Sequence, residues 1–162
     1  MPPVKVLMVC MGNICRSPTA QGVLEYQLAQ RQWQDKVMVD SAGTHAYHIG
    51  SAPDKRSQQA ALRRGIDLSH QQARLVQEND FERFDYVLAM DMHNLQYLQR
   101  MVPSLYRSRL KLLLDYAVNL PGYSEVPDPY YGGVNGFEKV LDLIEEATEG
   151  LLVDIEKRLA GH

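Results

Sequence analysis

The chain has only two cysteines, Cys10 and Cys15, and both fall in one short segment near the N-terminus. A disulfide-stapled scaffold needs more of them, spread along the chain. Two also fall short of the four ligands of a structural zinc site. Long apolar runs are missing as well. Nothing approaches the roughly 18 residues of a membrane span, and the stretch from Val6 to Gly12 runs straight into Asn13 and Arg16, unlike a secretory signal. There is no basic excess: 17 Lys and Arg against 20 Asp and Glu leave a formal charge of −3. That balance argues against a general nucleic-acid binder, while leaving room for a local basic pocket. No internal repeat, low-complexity tract or linker divides the 162 residues. The expectation is one cytoplasmic domain over residues 1–162, with enough apolar residues for a core of its own.

Strand-like and helix-like segments alternate. Val4–Val9 is a short apolar run rich in β-formers, the pattern of a buried strand. Ser17-Pro18 reads as a helix start, with Ser as cap and Pro at the first helical position, and the helix extends to about Arg31. Val37–Val39 is a second strand and 40–53 a loop. Residues 54–64 form a helix stopped by Gly65. Residues 85–90 form a third strand, 91–101 a helix ended by Pro103, and 110–114 a fourth strand. Residues 120–136, with three Pro and four Gly, form a long loop. The last helix spans 137–159, with Phe137, Val140, Leu141, Ile144, Ala147, Leu151, Ile155 and Leu159 as its apolar stripe. This alternation predicts a three-layer α/β/α fold around a parallel sheet. Ligands of such sheets bind beyond the carboxyl ends of the strands, so the loop after the first strand is the place to look.

That loop reads Cys10-Met11-Gly12-Asn13-Ile14-Cys15-Arg16-Ser17 and runs from a strand into a helix. Its N–H groups can turn inward as an anion-binding nest, reinforced by the helix N-terminus. Gly12 and Asn13 tolerate the left-handed angles a nest needs. Arg16 supplies a planar fork for a phosphate. The nucleotide-binding pattern G-x-x-x-x-G-K-[ST] and the dinucleotide pattern G-x-G-x-x-G are both absent. Amides, helix terminus and Arg16 would all favour a thiolate at Cys10. A thiolate in an oxyanion cradle is a nucleophile aimed at phosphorus. A lone Cys after a strand is more often a buried small residue; the Cys and Arg flanking a Gly-Asn turn make the functional reading the stronger one.

Cys10-x5-Arg16-Ser17 resembles the signature of cysteine-dependent tyrosine phosphatases. The string Val9-Cys10-Met11-Gly12-Asn13-Ile14-Cys15-Arg16-Ser17-Pro18, together with Asp128-Pro129-Tyr130-Tyr131-Gly132, is similar to the low-molecular-weight protein tyrosine phosphatase family over essentially the whole chain. The resemblance implies a four-stranded parallel sheet with a phosphate-binding loop after the first strand. It implies Cys10 as nucleophile, Arg16 and the loop residues 11–15 as holders of phosphate or another oxyanion, and Asp128 as general acid and then base, with no metal or organic cofactor. Asp128 taken alone would be an ordinary turn residue beside proline.

The resemblance assigns further roles. Ser17 would stabilise the Cys10 thiolate as well as cap the helix. Asn13 would hold the loop's shape, with Ser41 and His70 as partners. Cys15 would form a reversible disulfide with Cys10 on oxidation; otherwise it is a small apolar support. Tyr47, Tyr130 and Tyr131 would wall a cleft deep enough for a phosphotyrosine ring, and the latter two match positions phosphorylated in some members. Asp54 and Asp91 are explained as helix caps. Ser41-Ala42-Gly43-Thr44 is similar to bacterial members, which act on partners such as tyrosine autokinases. Two related activities fit less well. Thioredoxin-coupled arsenate reductases use further cysteines, and this chain has none after Cys15. Arginine phosphatases typically carry Thr where Ile14 stands. A catalytically dead phosphotyrosine-binding module would be expected to lose the Cys or the acid, and both are present.

Overall fold

The computed structural model describes residues 3–161, apart from the side chains of Tyr131 and Val134. Four parallel strands form one sheet in the order β2-β1-β3-β4: β1 Val4–Cys10, β2 Val37–Gly43, β3 Tyr86–Ala89 and β4 Leu110–Leu112. The helices are α1 Arg16–Gln30, α2 Lys55–Leu62, α3 Asp80–Arg83, α4 Met92–Met101 and α5 Gly136–Ala160. They cover both faces of the sheet, the expected α/β/α architecture.

Alternation along β1 divides the core. Val4, Val6, Met8 and Cys10 point into a cluster with Val23, Leu24, Leu28 of α1 and Leu141, Ile144, Leu151 of α5. Leu7 and Val9 point the other way, onto Phe81, Phe84, Leu98 and Val102. Buried on both faces, β1 needs apolar residues throughout, which is why it reads as a continuous run. The last residue of β1 is Cys10, so the strand delivers its side chain to the carboxyl edge beneath α1.

Several boundaries differ from the sequence expectation. β2 runs four residues further, through Asp40, Ser41, Ala42 and Gly43, because each pairs with β1, from Leu7↔Asp40 to Cys10↔Gly43. Pairing overrides the poor strand propensity of these residues. α1 begins at Arg16 rather than Pro18, and Ser17 is not its cap. Cys15 takes the cap position without a side-chain bond, and the Ser17 hydroxyl is used elsewhere. Pro18 is tolerated in this first turn because its missing N–H has no helical acceptor there. β4 stops at Leu112, and Leu113–Tyr116 tightens into a 3-10 turn. The short α3 lies in a region to which the sequence reading assigned no element. Within 120–136, 3-10 turns form at Pro129–Tyr131 and Gly133–Asn135.

α5 buries its expected stripe from Val140 to Ile155 and adds Leu143, Thr148 and Leu152, a wider face than the stripe alone. Gly150 lets this helix lie directly on the 113–116 turn: a Cβ there would sit 1.8 Å from the Tyr116 carbonyl oxygen. Alanine is favoured over glycine in a helix by about 1 kcal/mol. Gly150→Ala should nevertheless destabilise the protein by about 1–3 kcal/mol, the range for overpacking. Urea denaturation measures it, and an unchanged or raised midpoint would contradict this close approach.

Candidate active site

The loop after β1 turns its carbonyls outward. Cys10 O accepts Thr44 N–H at 2.9 Å, Met11 O accepts His45 N–H at 3.0 Å, and Ile14 O accepts Asp54 N–H at 2.7 Å. The N–H groups of residues 11–15 take part in none of the described hydrogen bonds. A backbone with its acceptors tied outward and its donors unpaired is an anion nest. Of the two residues expected to take left-handed angles, Asn13 does so, with φ of +57°, and Gly12 does not. At Gly12 the space is tight, since a Cβ there would lie 3.0 Å from the ring of the exposed His48.

Asn13 is 2% exposed, and its carboxamide fixes the loop. Its oxygen accepts the Arg74 main-chain N–H at 3.0 Å. Its nitrogen donates to Ser17 Oγ at 2.8 Å and to Ser41 Oγ at 2.9 Å. Ser41 in turn donates to Gln21 Oε1 at 2.8 Å. Because Ser17 Oγ already accepts from Asn13, its own proton is free for Cys10 Sγ, 3.0 Å away. Ser41 stands where the resemblance put it. His70 does not: it is exposed, and the main chain of Arg74 supplies the bond expected of it. A main-chain donor has no sequence signature, so this partner was not readable.

Arg16 is 6% exposed. Its Nη1 donates to Asp91 Oδ2 at 2.7 Å and to the Val126 carbonyl at 3.0 Å, and Nη2 and Nε have no described partner. One edge of the fork is thus fixed and the rest is left for an oxyanion. Burial works against the guanidinium charge, but the Cys10 sulfur, Asp91 and Asp128 outweigh it and hold it firmly protonated. Asp91 therefore does more than cap. Its Oδ1 accepts Asn94 N–H at the start of α4, 2.8 Å away, while Oδ2 anchors Arg16.

Cys10, Arg16, Asp128 and Tyr130 share a cavity of about 300 Å³ with Met11, Gly12, Ile14, Cys15, Tyr47, His48 and Pro129. Asp128 Oδ1 accepts Tyr130 N–H at 2.9 Å. Val126, two residues earlier, donates its N–H to Met90 O at 2.8 Å, tying the Asp128 segment to the residue that follows β3. Tyr47 is 73% exposed and stacks on His45 with ring centroids 5.4 Å apart. The sequence reading missed His48, which carries no motif. The Tyr131 side chain lies outside the described residues.

Tyr130 OH donates to Asp54 Oδ2 at 2.8 Å and faces Cys15 Sγ at 3.5 Å. Burial, then the bonds with Cys15 and Asp54, push the Tyr130 phenol upward, so it stays a donor. Burial likewise pushes the Cys15 thiol up, only partly offset by hydrogen bonds with Tyr130 and Ser57. Both cysteines are buried and free. Among the described residues no group of three or more His, Cys, Asp or Glu could hold a metal ion, and no helix is long and apolar enough to cross a membrane.

A cysteine at a strand end, an anion nest and a half-anchored arginine define a site for cysteine-based chemistry on an oxyanion. Residues 5–160 match the model of the low molecular weight phosphotyrosine protein phosphatase family, and the chain belongs to that family. It is 42% identical to the low molecular weight protein-tyrosine-phosphatase YfkJ of Bacillus subtilis, over 95% of this chain and 97% of that protein. A crystal structure of protein tyrosine phosphatase from Entamoeba histolytica with Hepes in the active site superposes with TM-score 0.91 at 38% identity, covering 95% of this chain and 97% of that one. The drosophila arginine phosphatase structure gives TM-score 0.85 at 35% identity, over 94% and 98%.

Asn13→Ala removes three hydrogen bonds and places alanine at positive φ. Inorganic phosphate should then inhibit about tenfold more weakly, equivalent to about 1.4 kcal/mol. Competition kinetics would measure it. Unchanged inhibition would mean that the cradle does not depend on Asn13.

Proposed function

We propose that this chain hydrolyses phosphotyrosine in proteins, with Cys10 as nucleophile. The sulfur attacks phosphorus, an S–P bond forms and the P–O bond to the phenol breaks. The amides of residues 11–15 and Arg16 hold the non-bridging oxygens, gripping them more tightly as charge develops. Asp128 gives a proton to the leaving phenolate, whose conjugate acid has a pKa of about 10. It then takes a proton from the water that cleaves phosphocysteine, and Cys10 departs as a thiolate steadied by the Ser17 hydroxyl. The observation that carries this reading is the common cavity of Cys10, Arg16 and Asp128, with the Ser17 hydroxyl 3.0 Å from the sulfur.

Tyr47 and Tyr130 at the rim support an aromatic ring as the leaving group. Ile14 lines the cavity and presents an apolar side chain, which suits a phenol better than a guanidinium. The reading extends to one domain over residues 1–162 of a bacterial, cytoplasmic enzyme, with phosphotyrosine proteins such as tyrosine autokinases as partners. Two free cysteines in one loop support a reversible disulfide that would protect Cys10 from overoxidation.

Phosphate release from a phosphotyrosine peptide, with a chelator present, tests the chemistry. Activity should vanish in Cys10→Ser and fall about 10²–10⁴-fold in Asp128→Asn, with phosphoserine and phosphoarginine much poorer substrates. An inactive, reduced wild type would sink the reading. Peroxide inactivation should be reversed by thiol in the wild type but not in Cys15→Ser; equal recovery would remove the protective role of Cys15.

A further inference from the structure

We infer that Asp54 is a positioning residue for proton transfer, a staple that joins the phosphate loop to the segment carrying Asp128. This rests on the proposed role of Asp128 as general acid. Asp54 reaches in three directions, through its main-chain N–H, its Oδ1 and its Oδ2. Its main-chain N–H donates to Ile14 O of the phosphate loop at 2.7 Å. Its Oδ1 caps α2 through Arg56 N–H at 2.8 Å and Ser57 N–H at 3.4 Å. Its Oδ2 accepts the Tyr130 hydroxyl at 2.8 Å. A helix cap needs only the first oxygen, and the second faces the acid's segment.

Tyr130 carries that contact to Asp128. Its main-chain N–H holds Asp128 Oδ1 at 2.9 Å, two residues back. Its ring lies beneath the Arg56 guanidinium, 4.5 Å from the centroid, and Arg56 Nη2 also meets Asp54 Oδ2 at 3.3 Å. The tyrosine is therefore held at both ends, by its N–H on the acid and by its hydroxyl on α2, with a cation over its face. A rigid ring with two torsions transmits position well. Elsewhere in this segment, Glu125 accepts Met92 N–H at 2.6 Å, Val126 is bonded to Met90 and Arg16, and the Tyr130 ring meets Phe137 edge-on, while Pro127 and Pro129 have no N–H to offer. The height of Asp128 over the phosphorus thus depends on a carboxylate that touches no substrate. Burial would raise the Asp54 pKa, but hydrogen bonds from Arg56, Tyr130 and the start of α2 outweigh it and keep it below the usual range, so the acceptor stays ionised at working pH.

The readout is kcat/KM across aryl phosphates whose leaving groups differ in basicity. A phenol as basic as tyrosine needs the acid; a dinitrophenol does not. Asp54→Asn keeps an oxygen for capping but turns a donor toward Tyr130, and Asp54→Ser keeps the cap but is too short to reach it. Tyr130→Phe removes the hydroxyl and keeps the ring. Each should lower kcat/KM for a phosphotyrosine peptide about tenfold, a fraction of the full effect of a general acid. The two Asp54 variants should change it less than about twofold for dinitrophenyl phosphate, which bypasses the acid. Asp54→Asn combined with Tyr130→Phe should be no worse than either alone, since both cut the same link. Equal losses on both substrates, or additive losses in the double variant, would overturn the staple. Asp128→Asn is run alongside. If it shows the leaving-group-selective loss and the Asp54 variants do not, only the staple fails. If Asp128→Asn lacks it too, the acid assignment itself falls.

Discussion

The left-handed backbone at Asn13 is the constraint on which the rest of the site depends. An L-residue there gives up about 1–2 kcal/mol, a penalty glycine would avoid. Glycine, however, has no carboxamide. The side chain that accepts Arg74 N–H and donates to Ser17 and Ser41 offsets the strain and sets the direction of every neighbouring dipole. Asn13 donates to Ser17 Oγ and leaves the Ser17 proton available to Cys10 Sγ, 3.0 Å away. Because the carbonyls of Cys10, Met11 and Ile14 are engaged outward, the amides are left facing the cavity. The cradle is thus organised before any oxyanion arrives, which is where electrostatic stabilisation of a transition state is most effective.

Arg16 extends the same economy of contacts to a full charge. A buried guanidinium without partners would be costly. Asp91 and the Val126 carbonyl satisfy one nitrogen only, so the charge is neutralised enough to be buried and remains incompletely hydrogen-bonded. Val126 also couples the loop after β1 to the Asp128 segment: its carbonyl receives Arg16 and its N–H is bonded to Met90, just after β3. Three strand ends, β1, β2 and β3, thereby meet at one point on the carboxyl edge of the sheet. This is where a parallel fold gathers residues far apart in sequence.

What the sequence made legible follows from how local each signal is. Cys10 and Arg16 flank one loop, and the strand before it and helix after it have clear periodicities, so their placement could be read directly. Asp128 came from resemblance, because an Asp between prolines is not distinctive by itself. The residues that were missed or misread all act over long range. Asp40–Gly43 are poor strand formers made into a strand by pairing with β1. Ser17 looks like a helix cap, yet it lies inside the first turn because Cys10 and Asn13 claim its hydroxyl. Asp91 and Asp54 were readable as caps from their positions before helices. Their second oxygens, one on Arg16 and one on Tyr130, follow only from packing. The substitution of Arg74's main chain for His70 leaves no trace in residue identity at all.

Cradle and rim also divide the labour of recognition. The unpaired loop N–H groups and the unpartnered part of the Arg16 fork suit any phosphoryl group, and nothing there distinguishes a phenol from another leaving group. The likeness to drosophila arginine phosphatase over nearly the whole chain shows that the backbone supports both kinds of name. Selectivity has to come from side chains beyond the phosphoryl oxygens: Ile14 within the loop, and Tyr47, His48 and Tyr130 at the mouth. Of these, Tyr47 is largely exposed and Tyr130 half-exposed. Tyr130 belongs to both groups, since it walls the cleft and holds the carboxylate of Asp128 through its N–H.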